Sequence, residues 1–225
     1  TAYRRQRQMC IRDRERIRQA IQQSMQIYVN RLIEGYYEFG TEASFQLHFS
    51  SILDRLLELN TNSTNESFTV MLEKNYPIQG QNDKIDISVT YKNETETKTV
   101  LIELKNKKIT DSASDNGNID SYIDIYTLST QLYGNNENMI DGAFFIFLTD
   151  LQTYPNIPIR GTRVELPMYD GAVIKKNTHY MVSGRSAKER TTKYPNGFYF
   201  IKEYKIEYTK FFVTEKPFWY FMIEL

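Results

Sequence analysis

Two acidic residues and a lysine stand in two neighbouring apolar segments of this chain, KIDISV and VLIELK. Successive side chains of a strand point to opposite faces, so Glu103 and Lys105 share one face of the second segment. Antiparallel pairing through the polar turn over 92–98 brings Asp86 close to the same face. Two carboxylates with an amine nearby are able to hold a divalent cation and polarise a water molecule.

Charged residues on a hairpin more often form a solvated face or a cross-strand ion pair. Both segments are, however, apolar enough to be covered on two faces. Burying a carboxylate is costly unless it is paired or binds a metal, so we favour a functional site. The alternative is an α/β interaction domain with incidental acids, and it holds if Asp86 and Glu103 face opposite sides of the sheet.

The composition excludes several classes of site. The 225 residues carry no net charge, so a polyanion would meet a local patch or bound metal ions rather than a general basic field. One cysteine, Cys10, allows no internal disulfide, and two histidines exclude a multi-histidine metal centre. No run of 18 apolar residues and no signal-peptide core occur, which predicts a cytoplasmic protein without a membrane partner.

The first fourteen residues, TAYRRQRQMCIRDR, differ from the rest, because they are rich in arginine while the remainder is rich in lysine. We expect 1–14 to be a non-native or disordered leader, with a basic arm that touches nucleic acid as the alternative. Residues 15–225 are expected to form a single domain.

Apolar periodicity predicts the elements that carry the three polar residues. In order, these are a helix over 15–37, a helix over 41–59, a strand that begins at 68 and ends by 77, the hairpin over 82–108, a helix over 118–134 and a buried strand over 142–150. This order predicts an α/β fold: a mixed central sheet with an αβββαβ core, flanked by helices. A β-rich C-terminal extension follows, with short strands near 163–166, 171–175 and 178–182 and two or three more at the end.

This order of elements, with an acid on the second strand and Glu103-Leu104-Lys105 on the third, resembles the PD-(D/E)xK nuclease superfamily, which has the restriction-endonuclease-like fold. The resemblance covers about 41–150 and makes 151–225 an elaboration. The chain departs from the family pattern in lacking a proline immediately before Asp86. The family often adds a glutamate from the helix before the first strand. Glu42 matches that place best, and Glu34 and Glu38 are the alternatives.

The resemblance implies a metal-dependent endonuclease or exonuclease that hydrolyses phosphodiester bonds, most simply in DNA. Asp86, Glu103 and the backbone oxygen of Leu104 would bind Mg²⁺, for which Mn²⁺ is a possible substitute. Lys105 would orient or deprotonate the attacking water, and Glu42 would complete the metal shell. A catalytically inactive relative, serving as a nucleic-acid-binding or assembly module, is the alternative, and a homodimer is one possible arrangement.

Three further residues are candidates for contacts with the substrate. Lys107 and Lys108 follow the motif and either meet phosphates or form a solvated strand end. Gln131 lies on the next helix, where family members often place a glutamine near the site, although core packing is the competing explanation. A basic loop is a candidate phosphate contact or a plain surface loop; it contains Arg185, Lys188, Arg190 and Lys193.

Overall fold

The computed structural model describes residues 2–78, 81–111, 114–134, 140–158, 165–182 and 194–225, and gives the backbone alone for 2–13, 78, 81–82 and 114–115. The helices are α1 (Ala2–Ile33), α2 (Glu42–Leu59) and α3 (Ser114–Tyr133). The first four strands are β1 (Ser67–Ile78), β2 (Gln81–Lys92), β3 (Thr97–Lys107) and β4 (Gly142–Thr149). The later strands are β5 (Val173–Ile174), β6 (His179–Tyr180), β7 (Phe198–Tyr199), β8 (Tyr204–Lys205), β9 (Thr209–Val213) and β10 (Lys216–Glu224).

The main sheet has six strands in the order β1-β2-β3-β4-β10-β9. The pairs β1/β2, β2/β3, β4/β10 and β10/β9 are antiparallel. β3 and β4 are parallel, because the two strands start side by side and end side by side. Asp141, just before β4, donates to Thr99 near the start of β3, and Asp150, just after β4, accepts from Ile109 just after β3. Helix α3 is the connection that parallel neighbours require. The predicted mixed α/β sheet with an αβββαβ core and flanking helices is therefore confirmed.

The chain divides into two compact units, residues 1–102 with 135–143 and residues 103–134 with 144–225. In the first unit, α1 and α2 bury apolar stripes at helical spacing. The fully buried residues of α1 include Ile17, Ile21, Met25, Tyr28 and Leu32, and those of α2 include Phe45, Phe49, Leu53 and Leu57. Each stripe is the one that the sequence periodicity indicates.

An arginine of α1 ties that helix to the start of β1. Arg16 donates to both carboxylate oxygens of Glu66, at 2.9 and 3.1 Å, and also to the backbone oxygen of Asn60. The Tyr91 hydroxyl donates to Glu66 at 3.1 Å. The Arg16 guanidinium lies over the rings of Phe68 and Tyr91. A short charged network thus fixes α1 against the sheet strands of the first unit.

The strand β4, of which residues 144–149 belong to the second unit, is buried along its whole length. Phe147 stacks on Phe221 of β10 with ring centroids 5.3 Å apart, and Phe145 lies 5.9 Å from the same ring. The last strands of the chain therefore join the main sheet, a position that the sequence did not indicate for the extension.

Several boundaries differ from the sequence prediction. Helix α1 begins at Ala2 and ends at Ile33, whereas 15–37 was predicted, and β1 continues through Pro77 to Ile78. The strand predicted near 163–166 lies partly outside the described residues, and 165–166 are not in a strand. In the part of the chain that the structure describes, no helix is both long and apolar enough to cross a membrane.

Candidate active site

Asp86 lies in the middle of β2, in the first unit. Its neighbours Ile85 and Ile87 are fully buried, while Asp86 itself is half-buried. The register pairs Ser88 of β2 with Leu101 of β3. Asp86 stands two residues before Ser88, so these two side chains lie on the same face of β2. The strand thus presents one half-buried carboxylate between two fully buried isoleucines.

A glutamine of α2 reaches the backbone of this residue. The Gln46 amide nitrogen donates to the Asp86 backbone oxygen at 2.8 Å and to the Glu73 carboxylate at 3.1 Å. Glu42 lies four residues before Gln46, so the two side chains occupy the same face of α2 one turn apart. Thr41 caps this helix by accepting from the Ser44 backbone nitrogen at 3.2 Å. This location keeps Glu42 as the candidate helix glutamate, whereas Glu34 and Glu38 are exposed.

Glu73 of β1 is an acid that the sequence interpretation missed. The flanking pairs are Leu72 with Ile87 and Lys74 with Ile85, so Glu73 stands opposite Asp86 in the register. Its backbone has a φ of +52°, which is rare for a residue with a side chain in a strand. Its carboxylate also lies 3.7 Å from the Lys84 ammonium. Strained residues of this kind cluster at functional sites.

Glu103 lies in β3 and belongs to the second unit. It is only 6% exposed, and Ile102 before it and Leu104 after it are fully buried. Lys105 follows on the same face of the strand by alternation. An isolated carboxylate at this depth would be strongly disfavoured, so its surroundings must compensate its charge.

The Lys105 ammonium lies 3.0 Å from an Asp124 carboxylate oxygen on α3. Both side chains are largely covered, with 14% of Lys105 and 21% of Asp124 exposed. The sequence interpretation did not single out Asp124. The lysine of the motif is thus held by a carboxylate from the helix that follows it.

Gln131 lies two turns beyond Asp124 on α3 and is 1% exposed. Its burial agrees with either a role beside the site or core packing, the two explanations that the sequence left open. Lys107 and Lys108 are half-buried at the end of β3. Their role as phosphate contacts stays a prediction, and the basic loop with Arg185 lies outside the described residues.

Asp150, at the end of β4, has a structural task. Its carboxylate accepts from the Ile109 backbone nitrogen at 2.6 Å, and the Asp111 carboxylate accepts from the Lys108 backbone nitrogen at 2.9 Å. Burial raises the pKa of the Asp150 carboxyl above its usual value, and the Ile109 hydrogen bond opposes that shift. These contacts fix the turn that follows the motif strand.

The predicted site residues divide between the two units. Asp86 and Glu42 lie in the first, and Glu103, Leu104 and Lys105 lie in the second. Their convergence on one metal ion therefore stays a prediction. Over the described ranges, no group of three or more His, Cys, Asp or Glu side chains is arranged to hold a metal ion.

Comparison of the chain with protein-family models, with curated proteins and with solved structures gives no match in any of the three.

Proposed function

We propose that the protein is a metal-dependent nuclease that hydrolyses phosphodiester bonds in DNA, with Asp86, Glu103 and Lys105 at its centre. The observation that carries the proposal is a carboxylate, Glu103, that is 6% exposed in an apolar strand two residues before a lysine held by an ion pair. A strand with a purely structural role seldom buries a glutamate and a lysine two residues apart on the same face, because the charge of each must be compensated.

The donor set fits Mg²⁺, and Mn²⁺ as its substitute. Asp86 and Glu103 offer carboxylate oxygens and Leu104 offers a backbone oxygen, which are hard ligands of the kind that Mg²⁺ takes while keeping several waters. Such an ion, when bound, lowers the pKa of a coordinated water and neutralises phosphate charge. Glu42, one helical turn from the glutamine that bonds Asp86, would hold a further water of the ion's shell.

The protein's own side chains supply the remaining chemistry. The Lys105 ammonium donates hydrogen bonds to the attacking water or to a non-bridging phosphate oxygen, and so orients the nucleophile and offsets developing negative charge. Only 6% of Glu103 is exposed, so bulk water is largely excluded from its carboxylate, which strengthens each electrostatic interaction. Lys107 and Lys108, at the end of the same strand, would contact the phosphates of the polymer backbone.

A catalytically inactive nucleic-acid-binding or assembly module is the second candidate. It is favoured by the finding that no three metal-ligating side chains are grouped among the described residues. Such a module would bind DNA without cutting it, and binding would survive the loss of Asp86 or Glu103.

A cleavage assay separates these candidates. Plasmid DNA, single-stranded DNA and RNA are incubated with the protein and Mg²⁺, and with EDTA in place of the metal. We expect Mg²⁺-dependent cleavage that falls by about 100-fold or more in Asp86→Asn, Glu103→Gln and Lys105→Met.

Lys98→Met is the matched control for Lys105→Met. Lys98 also lies on β3 and forms an ion pair of 3.1 Å, with Asp141, at a similar exposure. This control should cut at the rate of the unaltered protein. Binding without cleavage would support the inactive module, and cleavage that persists in the motif variants would refute the mechanism.

A further inference from the structure

Helix α3 carries a polar stripe on a face that the fold covers. Asp120, Asp124, Thr127 and Gln131 recur at spacings of four, three and four, which places them on one side of a helix. Thr127 is 4% exposed and Gln131 is 1% exposed. Polar side chains are costly to bury without partners. We therefore expect the polar side chains on this covered face of α3 to contact other polar groups.

The ion pair between Asp124 and Lys105 identifies one such group. The distance is 3.0 Å, and both residues belong to the second unit of the chain. A lysine side chain is a flexible stem of four carbons and adopts many conformations when it is unrestrained. A carboxylate fixed to a long helix selects the conformations that bring the ammonium to one point. The pair therefore restricts where the Lys105 charge can be.

We propose that Asp124 is a positioning residue for Lys105 in the nuclease reaction, an inference that rests on the function proposed above. Asp124 does not touch the substrate. It holds the ammonium at one position beside the motif, so that Glu103 and a fixed positive charge lie on the same face of the strand. Loss of Asp124 would leave the fold in place and lower the rate of the chemical step.

The pair of Lys98 and Asp141 provides a structural comparison on the same strand. Its nitrogen–oxygen distance is 3.1 Å, and its side chains are 20% and 16% exposed. Asp141 also accepts from the Thr99 backbone nitrogen at 2.9 Å. It is therefore an ion pair of matched length and burial that anchors backbone and lies away from the motif.

The first test measures the pair without metal or substrate. Thermal unfolding in EDTA is recorded for Asp124→Asn, Lys105→Met and the double variant. If the ion pair exists in solution, the two losses in Tm are not additive, and the double variant loses less than the sum of the single variants. Fully additive losses would mean that the two residues do not interact, which would overturn the proposal.

The second test measures cleavage kinetics. We expect Asp124→Asn to lower kcat by about 10-fold or more and to leave KM within two-fold. The reason is that a displaced Lys105 ammonium stabilises the transition state less, while substrate binding is unchanged. Asp124→Glu should recover part of the rate. In the Lys105→Met background, Asp124→Asn should have no further effect. The control Asp141→Asn should lower Tm at least as much and leave kcat unchanged.

The outcomes separate this inference from the proposed function. Unchanged kcat in Asp124→Asn, with Mg²⁺-dependent cleavage lost in Lys105→Met, would overturn the positioning role and leave the nuclease proposal standing. An unaltered protein that cuts no nucleic acid with any divalent metal would refute the nuclease proposal and the positioning role together, whatever the Tm coupling.

Discussion

The side-chain amide of Gln46 donates a hydrogen bond to the backbone oxygen of Asp86 over 2.8 Å, and the same nitrogen donates to the Glu73 carboxylate at 3.1 Å. One residue of α2 thus connects the helix to both strands at the level of the candidate metal ligand. It occupies the face of α2 on which Glu42 lies one turn earlier. The first unit therefore fixes the backbone of Asp86 through a contact that no local sequence pattern requires.

Replacing this glutamine tests whether the contact matters for function. We expect Gln46→Ala to destabilise the fold by about 1 kcal/mol, the usual contribution of one hydrogen bond, and to lower the rate of DNA cleavage by relaxing β2. Urea unfolding and a cleavage assay provide the two readouts. Gln19→Ala is the control, since Gln19 bonds Glu15 on an exposed helix face. Equal cleavage rates in the two variants would show that Gln46 has no part in the site.

The left-handed backbone of Glu73 predicts an unusual order of stability. Glycine adopts φ near +52° without strain, whereas alanine does not. Glu73→Gly and Glu73→Ala lose the same contacts to Gln46 and Lys84, so their difference isolates the backbone. We expect Glu73→Gly to be more stable than Glu73→Ala by about 1 kcal/mol in urea unfolding. The reverse order would mean that this residue is not left-handed in solution.

The carboxylate of Glu66 predicts a dependence of stability on acid. Hydrogen bonds from the Arg16 guanidinium, above all, lower the pKa of Glu66 to about 2. Because the folded pKa lies below the unfolded value, the stabilisation is fully present above the unfolded pKa and is lost as pH falls through about 2. At neutral pH, Glu66→Gln should cost about 2 kcal/mol.

This cost should shrink as urea unfolding is repeated at lower pH, from 5 down to the lowest value at which the protein still folds. Glu15→Gln serves as the control, because Glu15 pairs with Arg18 on a more exposed helix surface. A constant difference between Glu66→Gln and the unaltered protein across this pH range would contradict the charge-based account.

Gly117 of α3 predicts a packing defect. A Cβ atom at this position would come within 2.0 Å of the Tyr154 hydroxyl oxygen and 3.1 Å of Lys107 Cε. Alanine normally favours a helix over glycine by about 1 kcal/mol, so a net loss of stability in Gly117→Ala would come from this overlap. We expect a lower Tm and a partial recovery when Tyr154→Phe removes the hydroxyl. A gain in Tm would contradict the packing of the tyrosine against α3.

The strands of the hairpin were predictable from their apolar alternation, and β4 was predictable from its continuous apolar run, which is typical of a strand buried on both faces. The strand β1 was predicted to end by Pro77, because proline normally ends a strand, and it continues to Ile78. In this sheet, β1 is an edge strand, where a missing backbone donor is tolerated. Helix α1 also extends before residue 15 without an apolar stripe, because arginine and glutamine favour helices by intrinsic propensity.

The site was only partly predictable for a different reason. Glu103 and Lys105 follow from alternation along a single strand. Glu73 and Gln46 depend on the register of β1 and on the packing of α2, which are tertiary properties. Asp124 could have been predicted from the helical spacing of the polar residues in α3, but the aromatic residues of the same helix gave a stronger apolar pattern.

The binding of Mn²⁺, measured by electron paramagnetic resonance with Mg²⁺ as competitor, tests whether Asp86 and Glu103 hold one metal ion. Asp86 and Glu103 belong to different units, so both affect one affinity only if they share an ion. We expect Asp86→Asn and Glu103→Gln each to weaken Mn²⁺ binding by about 10-fold or more, while Lys98→Met leaves it unchanged. Absence of Mn²⁺ binding, or equal affinity in all four proteins, would contradict the account.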